Sequence, residues 1–192
     1  MTEQGMVVAF AGPLGSRKSD LSRAVAEALG WPRRSFGDYL RNLAEQSGRE
    51  RNDRAFLQEL GQSLVQTDPD KFVRDVLEGI DWRKTPNVIL DGLRHAEVRH
   101  ALILFLREQG VALKLVYVEM SDREREESER KRGVSLRQLS AYEQNLTEAQ
   151  ISDVIPAYAD HKVHGTLPTS MAVSSIIGRL NLAPTRPSAA AG

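Results

Sequence analysis

A three-layer α/β sandwich around a central parallel sheet of five strands is the fold this sequence predicts. Short apolar runs alternate with longer stretches of helical periodicity along the chain, the pattern of a parallel sheet covered by helices. The first apolar run leads directly into a turn rich in glycine and then into a helix. At 192 residues the chain is long enough for one well-cored domain and too short for two comfortable ones.

Met6, Val7, Val8, Ala9, Phe10 and Ala11 are continuously apolar, as expected of a strand buried on both faces. Leu21, Ala24, Val25, Ala28 and Leu29 then recur at helical spacing, and Gly30 ends that helix. A short strand is expected near Arg34, Ser35 and Phe36, followed by a helix from about Asp38 toward Ser47 and Gly48. Phe56, Leu57, Leu60, Leu64 and Val65 mark an amphipathic helix. Asp68 and Pro69 cap and open the next, which carries Phe72, Val73, Val76 and Leu77. Strands follow over 88–91 and 113–118, with a helix around Ala101 to Glu108 between them. Residues 122–132 are highly charged with no apolar face, which predicts a solvated helix laced with i,i+4 pairs. Thr147 and Gln150 have capping-box spacing. A last strand near 162–164 and a helix carrying Val173, Ile176, Ile177 and Leu180 complete a single domain over 1–182. Residues 183–192 lack periodicity and are expected to be a disordered tail.

Lys plus Arg and Asp plus Glu both number 26, so the formal net charge is zero. That argues against nucleic acid as the principal partner, which needs a positive field. Without cysteine, disulfides, zinc-thiolate sites and thiol nucleophiles are excluded. No basic leader precedes an apolar stretch, and no apolar run approaches the ~20 residues of a membrane span. The expectation is a cytoplasmic protein with no membrane partner, a monomer or homodimer.

Gly12, Pro13, Leu14, Gly15, Ser16, Arg17, Lys18 and Ser19 lie between the first strand and the first helix. Gly12, Lys18 and Ser19 have Walker A (P-loop) spacing, with Arg17 where the pattern has its second glycine. Strand, loop and helix start together aim backbone N–H groups and the helix dipole at one point, an anion site. Lys18 is placed to reach the β- and γ-phosphates of ATP, and the Ser19 hydroxyl to hold Mg²⁺. Asp20 belongs to the same ATP-binding segment and, three residues from Arg17, could neutralise it. Asp91 ends an apolar strand at the edge where such sheets bind ligands, a Walker B arrangement that gives Mg²⁺ a second oxygen.

Phe36, Gly37, Asp38, Tyr39, Leu40 and Arg41 resemble the Gly-Asp-x-Leu-Arg element of the P-loop nucleotide kinases, and Asp91, Gly92, Leu93 and Arg94 resemble their Asp-Gly-x-Arg element. Met120 through Arg125 to Arg132 and Gly133 resembles the segment leading into the mobile lid of these enzymes, with Ser128 standing where an arginine is often found. Ala159 and Asp160, with the strand to His164, resemble the late element that contacts adenine. The resemblance spans about Met6 to Leu182 and is to the adenylate-kinase-like, dephospho-coenzyme-A-kinase-like and deoxynucleotide-kinase group.

It implies a helical lid over about 122–146 and an acceptor-binding helical region over about 36–80. It also implies that Asp38, Arg41 and Arg94 bind the acceptor, with the two arginines at its phosphate; Arg54, opening the helix of Phe56 to Val65, is a further acceptor-binding candidate, with a solvated helix start as the alternative. Lys18, Asp91, Arg94, Arg125 and Arg132 would carry out transfer, with ATP and Mg²⁺ as cofactors. Phosphoryl transfer needs positive charge around a spreading negative one, so scattered arginines converging on the strand ends suit it. The acceptor implied is a nucleoside or deoxynucleoside monophosphate. A kinase of dephospho-coenzyme A or another small molecule, and a nucleotide-binding regulator without transfer, are the alternatives. The four histidines lack metal-ligand spacing, and only His95, beside Arg94, lies near the proposed site. Trp31 and Trp82 are expected to pack against the core.

Overall fold

The computed structural model describes residues 5–131, 133 and 151–185. Among them are β1 (Gly5–Ala11), α1 (Lys18–Leu29), β2 (Arg33–Ser35), α2 (Phe36–Gln46), α3 (Arg54–Thr67) and α4 (Pro69–Val76). Then come β3 (Asn87–Asp91), α5 (Ala96–Glu108), β4 (Val111–Glu119), α6 (Asp122–Lys131), a 3-10 turn (Ile155–Tyr158), β5 (His161–His164) and α7 (Thr169–Leu180). The sheet has five strands in the order β2-β3-β1-β4-β5, every neighbouring pair parallel. The predicted fold class is therefore the observed one.

Alternation along β1 explains its unbroken apolar run. Val8 and Phe10 face the layer that holds Leu21, Val25 and Leu29 of α1 and Ile176 of α7. Val7, Ala9 and Ala11 face the opposite layer, with Phe72 and Val73 of α4 and Leu102 and Leu106 of α5. Both faces of a central strand meet helices, so neither can be polar.

The structure moves several boundaries. α2 starts at Phe36, not near Asp38, because the Ser35 hydroxyl accepts from the Asp38 N–H at 3.2 Å and caps the helix earlier. α5 starts at Ala96 rather than near Ala101; only Val98 is buried in its first turn, so the periodicity there is too thin to read. α6 corrects the expectation of an entirely solvated helix: Arg125 and Glu129, one turn apart, are both buried. The start of the expected tail is tied down, since Trp31 Nε1 donates to the Ala183 carbonyl at 3.2 Å and the Thr185 N–H to the Leu29 carbonyl at 2.8 Å. The Thr147–Gln150 spacing, Arg132 and residues 186–192 lie outside the described residues. Trp82 packs edge-on against Phe105, ring centroids 6.0 Å apart, as a core-edge residue should.

His161, at the start of β5, places Nε2 3.0 Å from the Ser175 hydroxyl on α7. Burial, with the Arg179 charge nearby, pushes its pKa below 6.5. The unfolded chain then binds the extra proton first, so stability is complete above about 6.5 and declines as pH falls below it. A thermal melt series is expected to show wild type losing more Tm between pH 7.5 and 5.5 than His161→Gln. Equal slopes would show that the histidine contributes nothing.

Candidate active site

The phosphate loop leaves the centre of the sheet at the end of β1. Gly12 has φ 151°, and a Cβ there would stand 2.5 Å from the Val118 carbonyl oxygen, so the turn requires glycine. The Ser16 N–H closes the loop on the Pro13 carbonyl at 3.3 Å. The Ser16 hydroxyl is fully buried and has no partner among the described residues. No side chain caps α1, which leaves its N-terminal turn open to an anion. Lys18 lies across the loop, its ammonium 3.2 Å from the Pro13 carbonyl.

Arg17 holds the position of the second glycine with glycine-like geometry, φ 67° and ψ 16°. Its guanidinium runs to the β5–α7 connection, and Asp20 forms its own ion pair with Arg23 at 3.8 Å. The expected Arg17–Asp20 neutralisation is thus replaced by two separate interactions.

A cavity of about 360 Å³ opens beside the loop at the C-terminal ends of β1, β2 and β3. Leu14, Gly15, Arg17, Lys18 and Ser19 line one wall, and Asp38, Arg41, Arg54, Asp91, Arg94 and His95 the others. Phe36, Leu40, Leu57 and Phe72 give it an apolar floor, with the Phe36 and Phe72 rings 5.2 Å apart. With Arg23, Arg33 and Glu129, the described residues lining this space include seven cationic side chains and three carboxylates. The sheet places them there because β1, β2 and β3 run parallel and end at one edge.

Ion pairs organise the rim. Arg33 forks between Asp91 at 2.5 Å and Asp38 at 3.3 Å, and its Nε donates to the Ser22 hydroxyl at 3.0 Å. Arg41 pairs with the other oxygen of Asp38 at 2.6 Å. Arg54 on α3 reaches the buried Glu129 carboxylate of α6 at 3.3 Å.

Sequence reasoning passed over both Arg33 and Glu129. Arg33 sits one residue before the expected strand, and the only available signal was its position at the head of a short edge strand. Glu129 lay within a run of charges that reads as solvated.

Arg125 has a different position from the one the resemblance implies. It is buried, donates to the Leu14 carbonyl at 3.1 Å and pairs with Asp122 at 2.7 Å, bracing the loop from behind. It does not line the cavity, and neither do Gly12, Pro13, Ser16 or Asp20. Asp160, in the element resembling an adenine contact, accepts from the Leu115 N–H and from Lys114, both at 2.8 Å, and joins β4 to β5.

The donors present fit Mg²⁺. Asp91 Oδ1 is buried with no partner among the described residues, and Ser19 lines the same cavity. Mg²⁺ characteristically takes one or two protein oxygens and completes its shell with phosphates and water.

A second cavity, of about 380 Å³, lies next to Arg17 of the loop. Met120, Glu124, Glu127, Ser128 and Lys131 contribute to its lining, with Gly165 and Thr166 of the β5–α7 connection. Arg17 lines both cavities.

No protein-family model matches the chain, and no curated protein does. Solved structures do. The chain is similar to a shikimate kinase from Aquifex aeolicus, at TM-score 0.57 and 18% identity over 92% of this chain and 96% of that one. It is similar to a gluconokinase from Sinorhizobium meliloti, at 0.56 and 20% over 93% and 92%. A sugar kinase from a Janibacter species matches at 0.58 and 16% over 94% and 96%. At these identities the likeness establishes a fold shared with these kinases. No described helix is long and apolar enough to cross a membrane.

Proposed function

We propose that this chain is an ATP- and Mg²⁺-dependent phosphotransferase whose acceptor is a nucleoside or deoxynucleoside monophosphate. The observation that carries the reading is the cavity beside Lys18, which joins an arginine rim to an apolar, aromatic floor. A phosphate matches the rim through Arg41, Arg54 and Arg94, and a planar base matches the floor of Phe36, Leu40, Leu57 and Phe72. The helical region that supplies this floor is α2 to α4, within the 36–80 span expected from sequence. The second cavity, next to Arg17 of the loop, takes the donor's base.

Lys18 and the open α1 terminus stabilise the charge that spreads over the γ-phosphoryl oxygens. Ser19 and Asp91 would hold Mg²⁺, which supplies charge neutralisation between the donor phosphates. An acceptor phosphate oxygen forms the new P–O bond as the bond to the β-phosphate oxygen breaks, and ADP leaves. A phosphate oxygen needs no base to act as nucleophile. That suits a site in which both Asp38 oxygens are already engaged by Arg33 and Arg41. The lid assigned to 122–146, with Arg132 inside it, would exclude water from the closed complex.

The fold neighbours' names favour a second reading, a hydroxy-acid or sugar acceptor such as shikimate or gluconate. Mass detection of products from Mg·ATP and a panel of nucleoside monophosphates, dephospho-coenzyme A, shikimate and gluconate separates the two. Transfer to a nucleoside monophosphate is expected, and transfer confined to the hydroxy acids would overturn the acceptor assignment. Tight ATP binding with no transfer to any acceptor would instead mark a nucleotide-binding regulator. Arg41→Ala and Arg94→Ala are each expected to raise the acceptor KM roughly 10- to 100-fold, the loss of a charge-assisted hydrogen bond, with little change in the KM for ATP. An equal rise in both constants would remove these arginines from the acceptor site.

A further inference from the structure

The position where the phosphate-loop pattern has its second glycine is filled by an arginine whose guanidinium is bonded to the β5–α7 connection. Arg17 donates to the Gly165 carbonyl at 2.9 Å, to the Leu167 carbonyl at 3.4 Å and to the Thr169 hydroxyl at 3.0 Å. All three acceptors belong to the β5–α7 connection and the first residue of α7. The same two segments also touch through their backbones, since a Cβ at Gly165 would collide with the Ser16 carbonyl oxygen. Gly165 and Thr166 form a wall of the second cavity, and Arg17 borders that cavity as well.

We infer that Arg17 is a positioning residue for the donor nucleotide, holding the wall that receives the base in register with the loop that receives the phosphates. This rests on the reading of residues 12–19 as a nucleotide-phosphate loop. Glycine at this position would relax the backbone, because φ 67° favours it, yet would lose all three tethers. Lysine would keep the charge but not the planar fork that serves a carbonyl and a hydroxyl at once. The guanidinium keeps its charge while bonded to neutral acceptors, so any electrostatic contribution to the phosphates reaches ATP and tripolyphosphate alike, whereas the tether's contribution reaches ATP alone. The strained backbone of Arg17 and the close approach at Gly165 are two halves of one device: each holds a loop against the other.

The test is calorimetric titration with Mg·ATP and, separately, with Mg·tripolyphosphate, which presents the phosphates without a base. Arg17→Gly is expected to weaken ATP about tenfold, the scale of lost hydrogen bonds to a charged donor, while tripolyphosphate stays within about twofold. Arg17→Lys should fall between glycine and wild type. Thr169→Val, which removes one tether and leaves the loop residue in place, should give a smaller loss in the same direction. Equal weakening of both ligands would place Arg17 on the phosphates, and no weakening of either would give it no role. Either result overturns the inference.

Hydrogen exchange at the amides of Gly165, Thr166 and Leu167 without nucleotide reads the tether independently. Faster exchange in Arg17→Gly is expected, and unchanged exchange refutes the tether. A wild type that binds neither ligand would overturn the nucleotide reading itself, leaving exchange to decide the tether alone.

Discussion

Lys18→Ala is expected to lower kcat by about 10²- to 10³-fold, the scale of losing one preorganised donor at the transferring group. The ammonium contacts the Pro13 carbonyl at the start of α1, and in the proposed transfer its removal takes positive charge from the point where negative charge develops. The side chain lies outside both hydrophobic layers, and the fold should survive its loss. Steady-state kinetics with circular dichroism as a folding control checks this. A variant that keeps wild-type kcat would mean that the loop binds phosphate without assisting transfer. Lys18→Arg would not substitute, because the longer planar group cannot occupy the same space across the loop.

Arg33→Met is expected to lower Tm on the order of 10 °C. The Asp91 side chain is only 4% exposed, and Arg33 is its ion-pair partner. Removing one member of a buried pair leaves an uncompensated charge, typically costing about 3–5 kcal/mol. For a chain of this size each kcal/mol corresponds to about 2–4 °C. Adding Asp91→Asn to Arg33→Met removes the stranded charge and should recover a large part of the loss. A single variant melting within about 2 °C of wild type would show that Asp91 has another source of compensation. The double variant should remain inactive even where it is stable, since it lacks the carboxylate assigned to Mg²⁺. Stability and activity therefore separate at this pair.

Much of the site was legible because its central part is local. An apolar strand, a glycine turn and a Lys-Ser helix start occupy consecutive residues from Met6 to Ser19, so periodicity and spacing suffice to place them. Arg41 and Arg94 were legible through short motifs around them, and the cavity brings both to one rim. Arg33 was not legible. Its acceptors lie 5, 11 and 58 positions away, and nothing in the intervening chain marks them as partners. Glu129 pairs with Arg54 across 75 positions and reads in sequence as one more charge in a solvated helix. Arg125 carries the opposite lesson: a motif placed it in the site, while packing turned it onto the loop's back.

The sequence alone determined the α/β class and the position of the glycine-rich turn between the first strand and the first helix. Each of these follows from residues close together in the chain, where strand and helix periods and turn chemistry act. Tertiary structure decided which charges meet, which of them stabilise one another and where Arg17 points. Those outcomes depend on the β2-β3-β1-β4-β5 order and on parallel strands ending at one edge. Arg17 bonds to residues 148 to 152 positions away, a distance that only the folded sheet can close.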